Sequence, residues 1–499
     1  MPAKRNRSGG SSTSRHLGAE HKFEVAESVA VPRFDDIAPV ARVESRPSQT
    51  LDARYFDTRG RDLAAHAISL RRRTGGDDGG WQLTLPAQPD APTEIRAGLG
   101  TRDDEVPAEL RDVVMAVVRD RPLGPVAWVA TNHTVEVLYD ANGTALAQFC
   151  DDKVTARANA GGAEQHWREW ELELAENGSV GKTLLREMSD RLCHAGAVPT
   201  RHVSKLARVL GSSATVKPVA AYPDDPVRQA VAEQVERLLV WDRAVRADAA
   251  DSVHQMRVAI REIRSLLQAS ETEFGLSDDA EILSELRELA TVLGGARDAE
   301  VLGQRYERAL NELPTELVRG PVRERLVDGA RCQYRSGLAK CLSAMRSERY
   351  FRLLDGLDAL VAAKQSPPPH GGKKAAIRAG YRRVRRRAET AAKADPAHRD
   401  VALHQVRKAA KRLRYTAAAV GAVKVADSAK SIQTLLGDHQ DSVVSRAHLL
   451  QQADAAHAAA DDTFTYGLLH QREADLAQRC EQRLETALKT LDKAVHKAL

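Results

Sequence analysis

Aromatic residues make up only 4% of this 499-residue chain, which leaves few flat surfaces on which the bases of single-stranded nucleic acid could stack. Its cysteines (Cys150, Cys193, Cys332, Cys341 and Cys480) are scattered, odd in number and without a Cys-x-x-Cys pair. That pattern argues against a disulfide framework or a cysteine-based zinc site, and for a reducing cytoplasm. No apolar run approaches the roughly 18 residues needed to span a bilayer. Residues 1–14, MPAKRNRSGGSSTS, are polar and lack the apolar centre of a signal peptide. A disordered tail is expected over residues 1–15, followed by a soluble, cytoplasmic protein with no membrane partner.

What the chain does have is a basic phrase that it says twice. HQMRVAIREIRSL (254–266) is answered by HQVRKAAKRLRYT (404–416). The shared positions are His254, Arg257, Arg261 and Arg264 in the first copy, and His404, Arg407, Lys411 and Arg414 in the second. At helical spacing each set falls within an arc of about 80°, beside an apolar stripe formed in the first copy by Val253, Met256, Ile260, Ile263 and Leu267. Each helix should therefore bury one face and carry a row of cations along its edge. Downstream of each copy a second phrase recurs, LGGARDAEVL (293–302) and LGDHQDSVVS (436–445). Asp298 and Asp441, five residues after each Leu-Gly, read as partners that orient the neighbouring arginines. Two ordered phrases duplicated in this way point to an internally repeated helical domain.

The cations are not matched by acids at i+4 on the same face. Between His370 and Tyr415 there are 15 Lys/Arg against three Asp/Glu, although the net charge of the whole chain is only +5. Such a density repels itself unless a polyanion neutralises it, and the arginine fork is well shaped for phosphate oxygens. Nucleic acid is disfavoured as that polyanion, because aromatics are sparse and no base-reading motif stands out. The segment from about 223 to 495 resembles a CHAD domain in both His-Gln-x-Arg helices and both Leu-Gly…Asp helices. The resemblance implies two pseudo-symmetric helical bundles around a basic cavity that binds inorganic polyphosphate. The candidate binding residues are His254, Arg257, Arg261, Arg264, Arg378, Arg382, Arg385, His404, Arg407, Lys408, Lys411 and Arg414. One departure is the replacement of Ala296-Arg297 by His439-Gln440 in the second copy, which removes a cation.

The first 210 residues have a different texture. Alternating segments at 22–29, 52–58, 67–73, 81–86, 93–98, 133–140, 144–152 and 166–174 read as about eight strands, with turns at Asp78-Gly79-Gly80 and Ala141-Asn142-Gly143. Helical insertions are expected at 107–119 and 180–195. An antiparallel barrel is the natural architecture. A Ser/Pro-bearing stretch at 211–224 holds a linker, 213–222, and Ser-Pro-Pro-Pro-His-Gly-Gly at 366–372 divides the helical half. Strand alternation puts Glu169, Glu171 and Glu173 on one face, and does the same for Glu20, Lys22 and Glu24, for Arg71 and Arg73, and for Glu94 and Arg96. If these faces point inward, the acids suit a divalent metal and the cations suit phosphates.

Residues 16–212 resemble the CYTH family, the triphosphate tunnel metalloenzymes, in AEHKF (19–23), RYFDT (54–58), LRRR (70–73), WQLTLP (81–86), WREWELEL (167–174) and Ser204-Lys205. The resemblance implies an eight-stranded tunnel acting on a triphosphate with Mg²⁺ or Mn²⁺. Metal ligands would be Glu20, Glu169, Glu171 and Glu173. Lys22, Arg71, Arg73, Arg96 and Lys205 would grip the triphosphate, and Glu171, Glu173 and Lys22 would be catalytic. The chain departs from the family pattern at Gly18, Thr84 and Asn132-His133. The expectation is an α+β multidomain protein: an antiparallel eight-stranded β tunnel followed by an all-α duplicated helical bundle. Its expected function is polyphosphate binding joined to metal-dependent inorganic triphosphatase activity in the cytoplasm, with polyphosphate granules as one location. The alternative is a catalytically decayed tunnel on a protein that only binds and localises to polyphosphate.

Overall fold

A computed structural model describes residues 20–76, 79–86, 94–100, 102–159, 161–175, 179–202, 204–211, 226–269, 274, 280–362, 373–419 and 421–498. The chain divides into two compact units, Met1–Ala221 and Tyr222–Leu499. The expected tail at 1–15, the linker at 213–222 and the break at 366–372 lie outside the described residues, as do Gly18 and Asp78. Among the described residues, no helix is long and apolar enough to cross a membrane.

The first unit is an antiparallel sheet of ten strands. They are β1 (Glu20–Val25), β2 (Arg42–Ser45), β3 (Gln49–Asp57), β4 (Ser69–Thr74), β5 (Gly80–Thr84), β6 (Glu94–Ala97), β7 (Gly124–Tyr139), β8 (Ala145–Ala158), β9 (Gln165–Leu174) and β10 (Val198–Pro199). The spatial order is β10-β1-β9-β8-β7-β3-β4-β5-β6, with β2 lying against the far end of β7. Ten strands replace the eight expected, because the short β2 and β10 carry no alternating pattern. Among the described residues no pairing joins β10 to β6. The pairing shown is therefore that of an antiparallel sheet whose two end strands are not joined among the described residues.

Period-2 alternation gives this sheet two unlike faces. On one, Phe23, Trp170 and Leu172 pack with Leu184, Leu185 and Met188 of α3 (Ser179–His194). On the same face, Leu70, Trp81 and Leu83 pack with Leu110, Val114 and Val118 of α2 (Ala108–Val118). Both helices fall where the apolar periodicity placed them. A short α1 (Asp62–Ala65) follows β3. The opposite face carries every charged residue singled out in the strands. It receives α4 (Lys205–Leu210), whose Leu206, Val209 and Leu210 pack on Ala53, Tyr55, Val129, Val154 and Trp167. Ser204 caps α4 by accepting a hydrogen bond from the Ala207 amide at 3.1 Å. This helix carries Lys205 onto the charged face.

No strand occurs among the described residues of the second unit. Its helices are α5 (Pro226–Arg246), α6 (Ser252–Ala269), α7 (Glu281–Asn311), α8 (Gly329–Met345), α9 (Glu348–Ala362), α10 (Lys373–Lys393), α11 (Pro396–Ala419), α12 (Val423–Ala458) and α13 (Phe464–Ala498). The first His-Gln-x-Arg phrase lies on α6 and the second on α11; the Leu-Gly phrases lie on α7 and α12. The stripe Val253, Met256, Ile260, Ile263 and Leu267 is fully buried, as the periodicity required. Its counterpart on α11 (Leu403, Val406, Ala410, Leu413 and Ala417) forms one core with Ile377 and Val384 of α10, Ile432 and Leu436 of α12, and Leu491 and Val495 of α13. A further core joins Tyr306 and Leu310 of α7 to Leu449 of α12 and Tyr466 and Leu469 of α13.

Candidate functional site

The strand registers place the charged residues of the first unit in rows across one face. Glu20, Lys22 and Glu24 of β1 lie directly opposite Glu173, Glu171 and Glu169 of β9. The row continues from Glu169 to Asp152 of β8 and from Asp152 to His133 of β7. Ligand oxygens of Asp152, Glu169 and Glu171 lie within 4.8 Å of one another. Lys205 stands among them, with Nζ 2.8 Å from Asp152 Oδ2 and 2.7 Å from Glu169 Oε1. His133 Nδ1 is 2.6 Å from Asp152 Oδ1, and Trp167 Nε1 donates to Glu169 Oε2 at 2.7 Å. Lys22 Nζ is 2.5 Å from Glu20 and 3.8 Å from Glu171.

These distances set the ionisation of the group. Burial, reinforced by a hydrogen bond shared with Glu20, pushes the Glu171 carboxyl up to about 8. Burial acts the same way on Glu20, but the hydrogen bond from Glu171 and the charge of Lys22 overcome it and hold Glu20 below the usual carboxylate range. Burial alone would lower Lys205, yet Asp152, Glu169 and Glu171 raise it well above an ordinary lysine. Asp152 is lowered against its own burial by His133 and Lys205. Five carboxylates (Glu20, Asp152, Glu169, Glu171 and Glu173) thus face two ammonium groups, and even with a proton on Glu171 the group keeps an excess of negative charge. An all-oxygen donor set with excess negative charge fits a hard divalent cation, and Lys205 holds part of the place of one.

The structure brings Glu169 and Glu171 together with Lys205, which was expected to grip phosphate, and adds Asp152, which the sequence reading did not single out, and His133, which it named only as a departure from the family pattern. Lys205 is engaged with carboxylates and not set apart for phosphate. The signal for Asp152 was ambiguous because two aspartates are adjacent. Asp151 points to the other face, where Arg168 Nε and NH2 donate to it at 2.7 Å each. At the other end of the same face, Tyr55 of β3 pairs with Arg71 of β4, Arg71 with Gln82 of β5, and Gln82 with Arg96 of β6. Arg73 lies two residues from Arg71 on that face. Arg71 Nε donates to Gln82 Oε1 at 2.6 Å, and Arg96 Nε donates to Glu94 Oε1 at 2.5 Å. The charged face therefore has an acidic end and an arginine-rich end.

In the second unit the two cation rows meet. Lys411 of α11 is subject to the charges of Arg261, Arg264 and Arg257 from α6 and of Arg407 from its own helix. Burial first, and then these four cations, push its ammonium down to about 7. Burial likewise lowers Arg261 and Arg264 from the ordinary arginine range. The Nε atoms of Arg257, Arg261 and Arg264 are buried without a hydrogen-bond partner. Burial and nearby cations, Arg297 for His254 and Lys408 for His404, keep both histidines below the ordinary imidazole value. They are neutral donors or acceptors at neutral pH.

The second phrase sets its glycine against the arginine of the preceding helix, with least room in the second copy. A Cβ on Gly294 would stand 3.6 Å from the guanidinium of Arg257, and one on Gly437 would stand 3.3 Å from that of Arg407. Each Leu-Gly supplies the hollow in which the arginine of the preceding helix lies. Arg257 NH1 also donates to the Gly294 carbonyl and to Asp298 Oδ1, both at 3.4 Å. Asp441 stands in the field of Arg407, and burial raises its carboxyl. Arg414 donates to Gln433 Oε1 at 3.3 Å and lies 5.2 Å from the Tyr415 ring centre. Lys408 is exposed on α11, and Arg378, Arg382 and Arg385 are exposed on α10. None of those four is among the cations that act most strongly on Lys411.

Residues 229–450 match the model of the CHAD domain. Over 505 aligned residues the chain is 59% identical to two Mycobacterium tuberculosis proteins, described as uncharacterized proteins MT2285 and Rv2226. In each case 97% of this chain and 98% of the relative are covered. Among solved structures, PptA from Streptomyces chartreusis is 20% identical with a TM-score of 0.46, covering 54% of this chain and all of that one. A CHAD domain from Ricinus communis is 20% identical with a TM-score of 0.39, covering 54% of this chain and 90% of that one. A Hippeastrum protein, described as a putative adenylyl cyclase with a dominant triphosphatase activity, is 16% identical with a TM-score of 0.24. That match covers 39% of this chain and 95% of that one.

Proposed function

The chain belongs to the family of these two M. tuberculosis proteins and carries a CHAD domain over residues 229–450, and from that premise we propose that its helical unit binds inorganic polyphosphate. The observation that carries this reading is Lys411, a lysine packed among four cations, with no carboxylate paired to it among the described residues. A folded protein tolerates such a cluster when a ligand supplies the opposite charge. The unpartnered Nε atoms of Arg257, Arg261 and Arg264 are donors for phosphate oxygens. Contributions from both α6 and α11 favour an extended anion over a single phosphate. Lys408 and the α10 arginines would add a looser outer rim.

For the sheet unit we propose hydrolysis of triphosphate or short polyphosphate within a tunnel formed by the charged face. This reading rests on the CYTH-like motifs together with the row of acids at one end of that face and arginines at the other. Asp152, Glu169 and Glu171 would hold Mg²⁺ or Mn²⁺, with Glu20 and Glu173 beside them. When bound, the ion would neutralise phosphoryl charge and orient water. Arg71, Arg73 and Arg96 would hold the substrate's oxygens. Glu171, whose carboxyl is pushed up to about 8, would release its proton when it takes up the ion, so metal binding there should strengthen as pH rises. Lys22 restrains the Glu20–Glu171 pair.

A second reading has its own support. Lys205 already bridges Asp152 and Glu169, so the acidic end is partly neutralised from within, as a retired site would be. Phosphate release from triphosphate with Mg²⁺ or Mn²⁺ decides between the two. Activity that a Glu171→Gln, Glu173→Gln double variant loses by about 100-fold or more establishes a working tunnel. No activity in folded wild-type protein that still binds polyphosphate makes it a binding protein alone.

A further inference from the structure

His439 of α12 is 2% exposed, and its Nε2 has no hydrogen-bond partner. That nitrogen faces two carboxylates brought by different helices: Asp400 Oδ1 of α11 at 3.5 Å and Glu481 Oε1 of α13 at 3.4 Å. The spacing is too long and misaligned for a hydrogen bond to either. It matches the edge of a tetrahedron with metal–ligand bonds of about 2.0–2.1 Å, which is about 3.3–3.4 Å. The outer oxygens of both carboxylates face arginines: Arg399 Nε donates to Glu481 Oε2 at 2.5 Å, and Arg446 NH2 lies 3.8 Å from Asp400 Oδ2. The inner oxygens are thereby turned towards His439. Supporting contacts of this kind orient the ligands of metal sites.

The internal repeat shows that this arrangement is particular to one half. By offset from the two repeated phrases, Asp400 corresponds to Ala250 and His439 to Ala296. Ala296 is packed tightly on Gly337 of α8, so the first half fills the place with backbone and a methyl group. In the second half a buried imidazole and two acids replace them. Because Asp400 and Glu481 remain 41% and 27% exposed, an ion could enter and keep a water in its remaining position.

We propose that His439, Asp400 and Glu481 form a binding site for a divalent transition ion such as Zn²⁺, which clamps α11, α12 and α13. Imidazole with two carboxylates favours such an ion, whereas the all-oxygen acidic end of the sheet unit favours Mg²⁺ or Mn²⁺. The test uses the full chain, stripped of metal and titrated with Zn²⁺ by calorimetry and with Co²⁺ by visible absorption. Wild type should bind one more equivalent than His439→Ala, and the Co²⁺ d–d band should vanish in that variant. Arg399→Ala should weaken the site about 10-fold to 100-fold. Equal stoichiometry and identical spectra in folded wild type and His439→Ala would overturn the proposal. Should that variant not fold, an unchanged Co²⁺ spectrum and affinity in Glu481→Gln would overturn it equally, and weakened binding there would support it.

Discussion

Two lysines mark the contrast between the two units. Lys205 is the more deeply enclosed, with a side chain only 19% exposed, yet it holds its proton more tightly than a free lysine because Asp152 and Glu169 touch it. Lys411 is also buried, and its ammonium falls to about 7 because its charged neighbours are arginines. Burial is unfavourable to both; the partners decide the sign. The sheet unit thus surrounds its lysine with carboxylates, and the helical unit surrounds its lysine with arginines.

Removing the internal counter-ion should break this contrast most strongly. Lys205→Ala would leave Asp152 with only His133 and Glu169 with only Trp167 as partners, at a cost of about 3–5 kcal/mol in unfolding free energy measured with denaturant. Added Mg²⁺ or Mn²⁺ should recover part of that loss. A loss below about 1 kcal/mol would show that Lys205 is not what balances the acids. In the helical unit the matching change should act on function instead. Lys411→Glu should weaken polyphosphate binding about 100-fold or more, as loss and reversal of one charge-assisted contact implies, without lowering the melting temperature. A destabilised variant that still binds would assign the cluster a structural role.

Protonation sharpens the comparison further. Lys411 faces Arg257, Arg261, Arg264 and Arg407, with Tyr415 beside them, and burial and these cations push its ammonium down to about 7. A bound polyanion stabilises the ammonium, so its proton affinity is higher in the complex than in the free protein. Binding therefore takes up a proton above pH 7, and affinity should fall about tenfold between pH 6 and pH 8. Lys411→Arg should flatten that profile; an equally steep fall in the variant would place the titrating group elsewhere. The smallest effects belong to the exposed rim. Arg378→Gln, Arg382→Gln and Arg385→Gln should each change affinity by less than about fivefold, since exposed charges contribute about 1 kcal/mol or less. A tenfold loss at any one of them would move the binding surface out onto α10.

Much of this arrangement was legible from local pattern. Alternation on β1, β4, β6 and β9 put the right charges on one face, and the stripe beside the first His-Gln-x-Arg phrase identified the buried face of α6. Strand ends were less legible. β7 starts at Gly124 and not at 133, because Gly124 to Asn132 carries Pro125 and a run of apolar residues without polar alternation. β8 runs on to Ala158 through residues that alternate only weakly. What remained hidden depended on contacts between distant segments. Nothing near Lys205 in sequence announces Asp152, and no spacing rule links Asp400, His439 and Glu481, which come from three helices. The convergence of α6 and α11 on Lys411 was implied by the repeat, but the depth of the resulting cation cluster required the fold.

The most direct measurement is a calorimetric titration of the full-length protein with inorganic polyphosphate, repeated on a variant in which Arg257, Arg261, Arg407 and Lys411 are all glutamine. Saturable binding by the wild type, lost by about 1000-fold or more in a variant with unchanged circular dichroism, is the expected result. Equal affinity in the two proteins, or no binding by the wild type, would contradict a polyanion site at the meeting of α6 and α11.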